Sequence, residues 1–192
     1  MDKLLIILLL LIPASAGAQD PFANKAPTGG ILHRPDTVVI RMLIPTDGSY
    51  GKVFGGGTEL VESIMTEAFR HLGKRYRSGG KGPTVFDCSG FTGYVFRKHS
   101  YEIGASSRDQ YARNTPIRRD EIQCGDLVFF TSPGSGRNVG HVGIVVDVDP
   151  VTLDFTFIHA SSKNGVKLSS STESNYAKRY VGARRILELS AL

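Results

Sequence analysis

A chain of 192 residues has room for one domain built on one hydrophobic core of ordinary size. Its net charge of +5, with basic clusters at Lys74-Arg75-Arg77, Arg108 to Arg119 and Arg184-Arg185, suits either a polyanionic partner or a plain solvated basic face. No zinc-knuckle, P-loop or aromatic-rich RNA motif is present, so nucleic acid is not the expected partner.

Residues 1–18 have the form of a secretory signal peptide: Lys3, an apolar run from Leu4 to Ile12, Pro13, then Ala16-Gly17-Ala18 with cleavage expected before Gln19. The run falls short of the roughly 20 residues of a membrane span. No later stretch reaches that length, and no cysteine near the cleavage site offers a lipid anchor. The expectation is an exported, unanchored protein of the periplasm, envelope or exterior. Residues 19–57, rich in Gly, Pro and Asn, read as an N-terminal arm or linker, with one strand-like stretch from Thr37 to Ile44. The folded domain is expected over residues 58–192.

Apolar positions at helical spacing from Val61 to Leu72 predict a helix capped by Thr58 and ended by Gly73. A glycine-rich loop follows at 77–83. Asp87 is the expected N-cap of a second helix that begins at Cys88 and carries Phe91, Tyr94, Val95 and His99 on one face. A short helix is expected around Ser106 to Arg113. Strands are expected over 126–131, 140–148, 153–159, 166–169 and 180–187. Helices first and strands afterwards, joined by short links, give an α+β fold with a mostly antiparallel sheet of five to six strands.

A cysteine at a helix start can act as a nucleophile. Unpaired N–H groups and the helix dipole favour the thiolate there, and the same N–H groups can stabilise an oxyanion. Ser89 and Gly90 are small enough to admit a substrate carbonyl. Period-two alternation puts His141, Gly143, Val145 and Asp147 on one face of their strand, opposite Val142, Ile144, Val146 and Val148. If that strand and the next turn about Pro150, His141 faces His159, Gly143 faces Phe157 and Val145 faces Phe155. Opposed Cβ atoms would then be about 4.5–5.5 Å apart, close enough for one imidazole to hold the other's tautomer. The alternatives are a structural Cys88–Cys124 disulfide, which an export context allows, and a zinc site of Cys88, His141 and His159, which lacks the usual ligand spacing. Cys124, before Gly125-Asp126 and an apolar strand, suits a buried inert thiol. His33, His71 and His99 read as surface or helix residues, and no GxSxG serine elbow is present.

These residues resemble the NlpC-type cell-wall cysteine peptidases, papain-like bacterial enzymes. The resemblance covers about residues 58–187. It is carried by Leu72-Gly73-x-x-Tyr76, Gly79-Gly80, Pro83, Phe86-Asp87-Cys88-Ser89-Gly90-Phe91 and Ser107-x-x-Gln110. The later matches are Gly125-Asp126-Leu127-Val128-Phe129-Phe130, Gly140-His141-Val142-Gly143-Ile144 and Ile158-His159-Ala160. It implies a papain-like fold and hydrolysis of amide bonds in peptidoglycan stem peptides or cross-links, without a cofactor and as a monomer. Cys88 would be the nucleophile, His141 the general base and then acid, and His159 the group that orients it. Tyr76 would stand near the nucleophile to hold oxyanion or substrate, with Asp87 and Ser89 in cap and substrate-contact roles. Cys124 replaces a proline common in such chains, and no separate wall-binding module is expected before the domain. Two other activities fit the same residues: an acyltransferase or amidase on another acyl substrate, and a non-catalytic wall-binding domain.

Overall fold

The computed structural model describes residues 59–133 and 135–187, so the expected signal peptide and the 19–57 arm lie outside the described residues, as does Thr58. The first helix, α1 (Glu59–Phe69), buries Val61, Ile64, Met65, Ala68 and Phe69, the positions its spacing marks as one face. The chain leaves the helix through Gly73, whose φ of +77° suits a residue without Cβ. Its N–H donates to the Val166 carbonyl at 2.8 Å and ties the helix end to the sheet.

Two short strands follow, β1 (Arg75–Tyr76) and β2 (Val85–Phe86), paired in parallel with Tyr76 beside Phe86. The cysteine helix, α2 (Cys88–Arg97), starts directly after them, and α3 (Ser107–Arg113) is capped by Ser106, whose hydroxyl accepts from Asp109 N–H at 3.2 Å. Then come β3 (Thr115–Ile117), a 3-10 turn at Arg119–Glu121, β4 (Leu127–Thr131), β5 (Val139–Val148), β6 (Phe155–Ser161), β7 (Gly165–Ser170), α4 (Ser174–Ala177) and β8 (Tyr180–Arg185). The main sheet has six strands in the order β3-β8-β4-β5-β6-β7, every recorded pairing antiparallel.

Alternation splits the sheet into two apolar faces. Leu127, Phe129, Val142, Ile144, Val146, Ile158 and Ala160 pack with Ile64, Met65, Phe91, Val95 and Phe96 of the helices. Val128, Phe130, Val145, Phe155, Phe157 and Ala183 form the second cluster with Ile122 and Tyr176. Burying a side chain of this size contributes about 1.5–3 kcal/mol over leaving it in water, so the first face anchors α1 and α2 firmly.

The β5–β6 hairpin differs from its expected register. Val145 faces Phe157 rather than Phe155, and Ile144 faces Ile158. A slip of two residues keeps every side chain on its face, so the histidines stay on the same side although they are not directly opposed. A β-bulge between Val145 and Asp147 adds a further residue. Val148 therefore joins the Phe155–Phe157 cluster instead of the face of Val142. The turn runs through Asp149, whose carboxylate accepts from the N–H groups of Val151 and Thr152 at 2.8 and 2.9 Å.

The strands β1, β2 and β3 and the helix α4 were not among the expected elements. Two to four residues are too few to show a period, and β3 carries Pro116. His71 is buried rather than superficial: it packs edge-on against Phe86 and Tyr94, and its Nε2 lies 3.0 Å from Glu67 Oε1.

Candidate active site

Asp87 caps α2 as expected. Its Oδ1 accepts from Gly90 N–H at 2.6 Å, and its carbonyl accepts from Phe91 N–H at 2.9 Å. Those two bonds leave the N–H groups of Cys88 and Ser89, and both favour the charged form of the Cys88 sulfur. A third donor comes from the sheet. The recorded pairing of β5 with β6 stops at Ile144–Ile158, and the N–H of Val142, beyond that point, also favours the charged sulfur. The helix start thus meets β5 at the residue next to His141.

Burial pushes the Cys88 thiol above its ordinary range, and the neighbouring Asp87 carboxylate adds to the rise; the three N–H groups oppose it without winning. The lowered value expected for a helix-start cysteine is therefore not found, because desolvation of the charged sulfur outweighs the dipole. Cys88 and Cys124 are both free thiols, so the disulfide alternative is absent. Burial, then Asp147 and Asp126, push Cys124 up to about 12, the behaviour of an inert thiol.

His141 Nε2 lies 2.9 Å from His159 Nδ1, with the ring planes at 89°. Gly143 makes this approach possible: a Cβ there would stand 2.6 Å from Phe157 Cδ2 and 3.1 Å from His159 Cβ. Burial drops His141 to about 4, with the Arg179 guanidinium adding to the effect. Burial also takes His159 well below its ordinary value, helped by His141, Lys167 and Arg179. Both rings are neutral at pH 7, and each then has one donor and one acceptor nitrogen.

The far side of His159 is also occupied. Its Nε2 lies 3.2 Å from Ser169 Oγ and 3.2 Å from Tyr176 Oη. Two hydroxyl oxygens there can accept, so a tautomer with its proton on Nε2 is satisfied and leaves Nδ1 to accept from His141 Nε2–H. His141 Nδ1 is then the ring nitrogen with a free lone pair. Tyr176 and Ser169, which stand against His159, are positions that sequence reasoning missed. Tyr176 sits on a four-residue helix, where no motif or periodicity draws attention to it.

Tyr76 is brought to this end of the sheet by its pairing with Phe86, and its hydroxyl is raised by burial, then by Cys88 and Asp87. Ser89 is buried, its hydroxyl donating to Asp87 Oδ1 at 3.1 Å. Lys81 Nζ, not foreseen, stands 3.4 Å from both Asp87 Oδ2 and Ser89 Oγ and donates to the Ala105 carbonyl at 3.1 Å. Gln110 holds the helix start from beneath. It is fully buried, accepts from Thr92 Oγ1 at 2.8 Å and donates to the carbonyls of Ser89 and Gly104 at 3.0 and 3.1 Å. A Cβ on Gly90 would overlap the Gly80 carbonyl oxygen, which explains the glycine two residues after Cys88. Among the described residues no three His, Cys, Asp or Glu side chains converge to hold a metal ion, and no helix is long and apolar enough to cross a membrane.

Over 123 residues the chain is 44% identical to "Probable endopeptidase p60" of Listeria seeligeri, which covers 64% of this chain and 22% of the relative. Over 133 residues it is 38% identical to "Murein DD-endopeptidase MepS/Murein LD-carboxypeptidase" of Escherichia coli (strain K12), covering 69% of this chain and 66% of the relative. The chain therefore spans about a fifth of the p60 relative's length. An NLP/P60 family protein similar to lipoprotein from Staphylococcus aureus superposes with a TM-score of 0.60 at 33% identity, over 68% of this chain and 42% of that one. The NlpC/p60 domain of the peptidoglycan hydrolase SagA gives 0.54 at 31% identity, over 65% of this chain and 97% of that one. These neighbours share the papain-like arrangement of helices on an antiparallel sheet. The NlpC/P60 family model matches residues 73–185, from the end of α1 through β8, and the chain belongs to that family.

Proposed function

We propose that this chain is an exported peptidoglycan endopeptidase that cuts an amide bond of a stem peptide or cross-link through a thioester on Cys88. The observation that carries the reading is the neutral His141–His159 pair, held at 2.9 Å on the strand whose next N–H, that of Val142, favours the Cys88 thiolate. The named activities of the p60 and MepS relatives supply the substrate class.

In the empty site the pair is thiol and imidazole, since burial raises one group and lowers the other. The thiol proton passes to His141 Nδ1 as the sulfur bonds to the substrate carbonyl carbon. The N–H groups of Cys88 and Ser89, with the Tyr76 hydroxyl, hold the resulting oxyanion. His159 Nδ1 accepts from His141 Nε2–H throughout and so stabilises the imidazolium. Collapse breaks the C–N bond, and the leaving nitrogen takes the proton from His141. Water then adds to the thioester, giving a proton to His141, and the C–S bond breaks with that proton returning to sulfur. Asp87 sets the helix start, and Ser89 and Lys81 border the acyl group. Export follows from the reading of residues 1–18, and the domain surface or the 19–57 arm would bring it to the wall.

Digestion of defined muropeptides, followed by mass spectrometry, tests this. The wild-type protein is expected to give two fragments whose masses sum to substrate plus water. Cys88→Ala is expected to give none while keeping its circular dichroism spectrum; cleavage by that variant ends the proposal.

A further inference from the structure

Helix α4 ends at Ala177, and Arg179 just beyond it is tied to the end of β4 in both directions. The Thr131 N–H donates to the Arg179 carbonyl at 2.8 Å, and Arg179 Nη1 donates to the Thr131 carbonyl at 3.1 Å. Arg179 Nε donates to the Asn175 carbonyl, and the guanidinium lies over the Tyr176 ring, 5.3 Å from its centroid. We propose that Arg179 is a positioning residue for the imidazole pair: it locks Tyr176 against His159 and sets a permanent positive charge beside both rings. The proposal deepens, and rests on, the reading of His141 as the base.

The lock acts through a group of rings. Tyr176 Oη stands 3.2 Å from His159 Nε2, and the buried Tyr176 ring packs on Phe130, Phe157 and His159 with centroids 5.2, 5.0 and 5.3 Å away. A helix of four residues has too few hydrogen bonds of its own to fix such a ring. Arg179 supplies the restraint. One planar group holds the carbonyl of Asn175, the residue before Tyr176, and that of Thr131, the residue after Phe130, whose partner on β5 is His141. A lysine ammonium, a point charge on a flexible stem, cannot hold two carbonyls and lie flat on a ring at once.

The same placement has an electrostatic consequence. The titratable and charged groups around the two rings are the rings themselves on β5 and β6, Lys167 on β7, Tyr176 on α4 and Arg179, with no carboxylate in the set. Glu173, just before α4, has its carboxylate on Ser170 N–H at 2.9 Å. Burial is the largest influence on both imidazoles; beyond it Arg179 acts on both, and Lys167, opposite His159 in the β6–β7 register, acts on His159. A fixed cation there disfavours a second positive charge on His141. It keeps the base unprotonated in acid, ready for the Cys88 proton. It also makes the imidazolium formed in turnover a readier acid toward the leaving nitrogen.

NMR titration of ring-labelled histidine in the full chain, with kcat/KM on one muropeptide measured against pH alongside, provides the test. Arg179→Gln keeps a donor but no charge. It is expected to raise the proton affinity of His141 about three- to tenfold, so that the His141 midpoint and the acid limb climb together by about 0.5–1 pH unit. Arg179→Lys keeps the charge but loses the planar fork. Its His141 midpoint is expected to match the wild type while kcat falls several-fold at unchanged KM. An unmoved His141 midpoint in Arg179→Gln overturns the proposal, and so does an Arg179→Lys variant with wild-type kcat or with a loss confined to KM. Should Arg179→Gln fail to fold, the lysine variant decides alone. A midpoint that moves while the acid limb stays leaves the role of Arg179 intact and rejects His141 as the base.

Discussion

His159 touches His141 on one side, Nδ1 to Nε2 at 2.9 Å, and Tyr176 on the other, Nε2 to Oη at 3.2 Å. The middle ring is fully buried, so its only freedom is which nitrogen carries the proton. Two hydroxyls there can accept a proton held on Nε2, and that tautomer leaves His141 Nδ1 with the free lone pair that the proposed mechanism uses as base.

Removing the base should therefore cost more than removing its support. His141→Ala is expected to lower kcat by at least 10²–10⁴-fold, the usual worth of a general base. His159→Ala should cost less, and His159→Asn, which can still present an acceptor oxygen, less again. Single-turnover rates on one muropeptide check the order; a His159→Ala loss larger than that of His141→Ala contradicts it.

Tyr176→Phe combined with Ser169→Ala strips both acceptors from His159 Nε2. Kcat is expected to fall several-fold to about tenfold with KM unchanged, because tautomer selection rather than substrate binding is lost. NMR of ring-labelled histidine should show His159 populating its other tautomer. A loss confined to KM would argue against a positioning role.

The pH dependence has a definite sign. His141 has a folded value of about 4 against an ordinary 6.5, and His159 is lowered too. Between those values the unfolded chain binds more protons than the folded one, so stability rises with pH across that window and falls on acidification below 6.5. His141 alone accounts for roughly 2–3 kcal/mol by pH 4. Urea titrations at pH 7 and pH 4.5 should show the drop, and His141→Ala should shrink it. The acid limb of kcat/KM is likewise expected near pH 4 rather than near 6.5.

Alkylation separates the two thiols. Both are raised by burial, Cys124 to about 12, while three N–H groups favour the thiolate only at Cys88. Iodoacetamide should label Cys88 first, slowly at neutral pH and faster as pH climbs past 9, with Cys124 lagging throughout. Peptide mapping reads the order.

Much of this site is legible in the chain because it depends on local rules. Asp87 before Cys88 is a cap, and the cap dictates which N–H groups stay free. Alternation places His141 and His159 on one face, and an even slip preserves that. The hairpin register itself was not legible, since a bulge at Val145–Asp147 has no sequence mark and depends on how the turn at Asp149 closes. The direction of the Cys88 shift was also hidden. A helix start argues for a lowered thiol, and only packing reveals that the sulfur is largely desolvated beside Asp87. Tyr176 and Ser169 reach their places through tertiary contacts, and a residue type without a motif gives no warning of that.

The most direct measurement is the mass of the protein quenched during turnover of a muropeptide. A covalent thioester mechanism predicts a fraction of the chain heavier by the acyl fragment, mapping to the peptide that contains Cys88 and vanishing on hydroxylamine treatment. Full turnover with no adduct under rapid quench, or an adduct confined to Cys124, would contradict it.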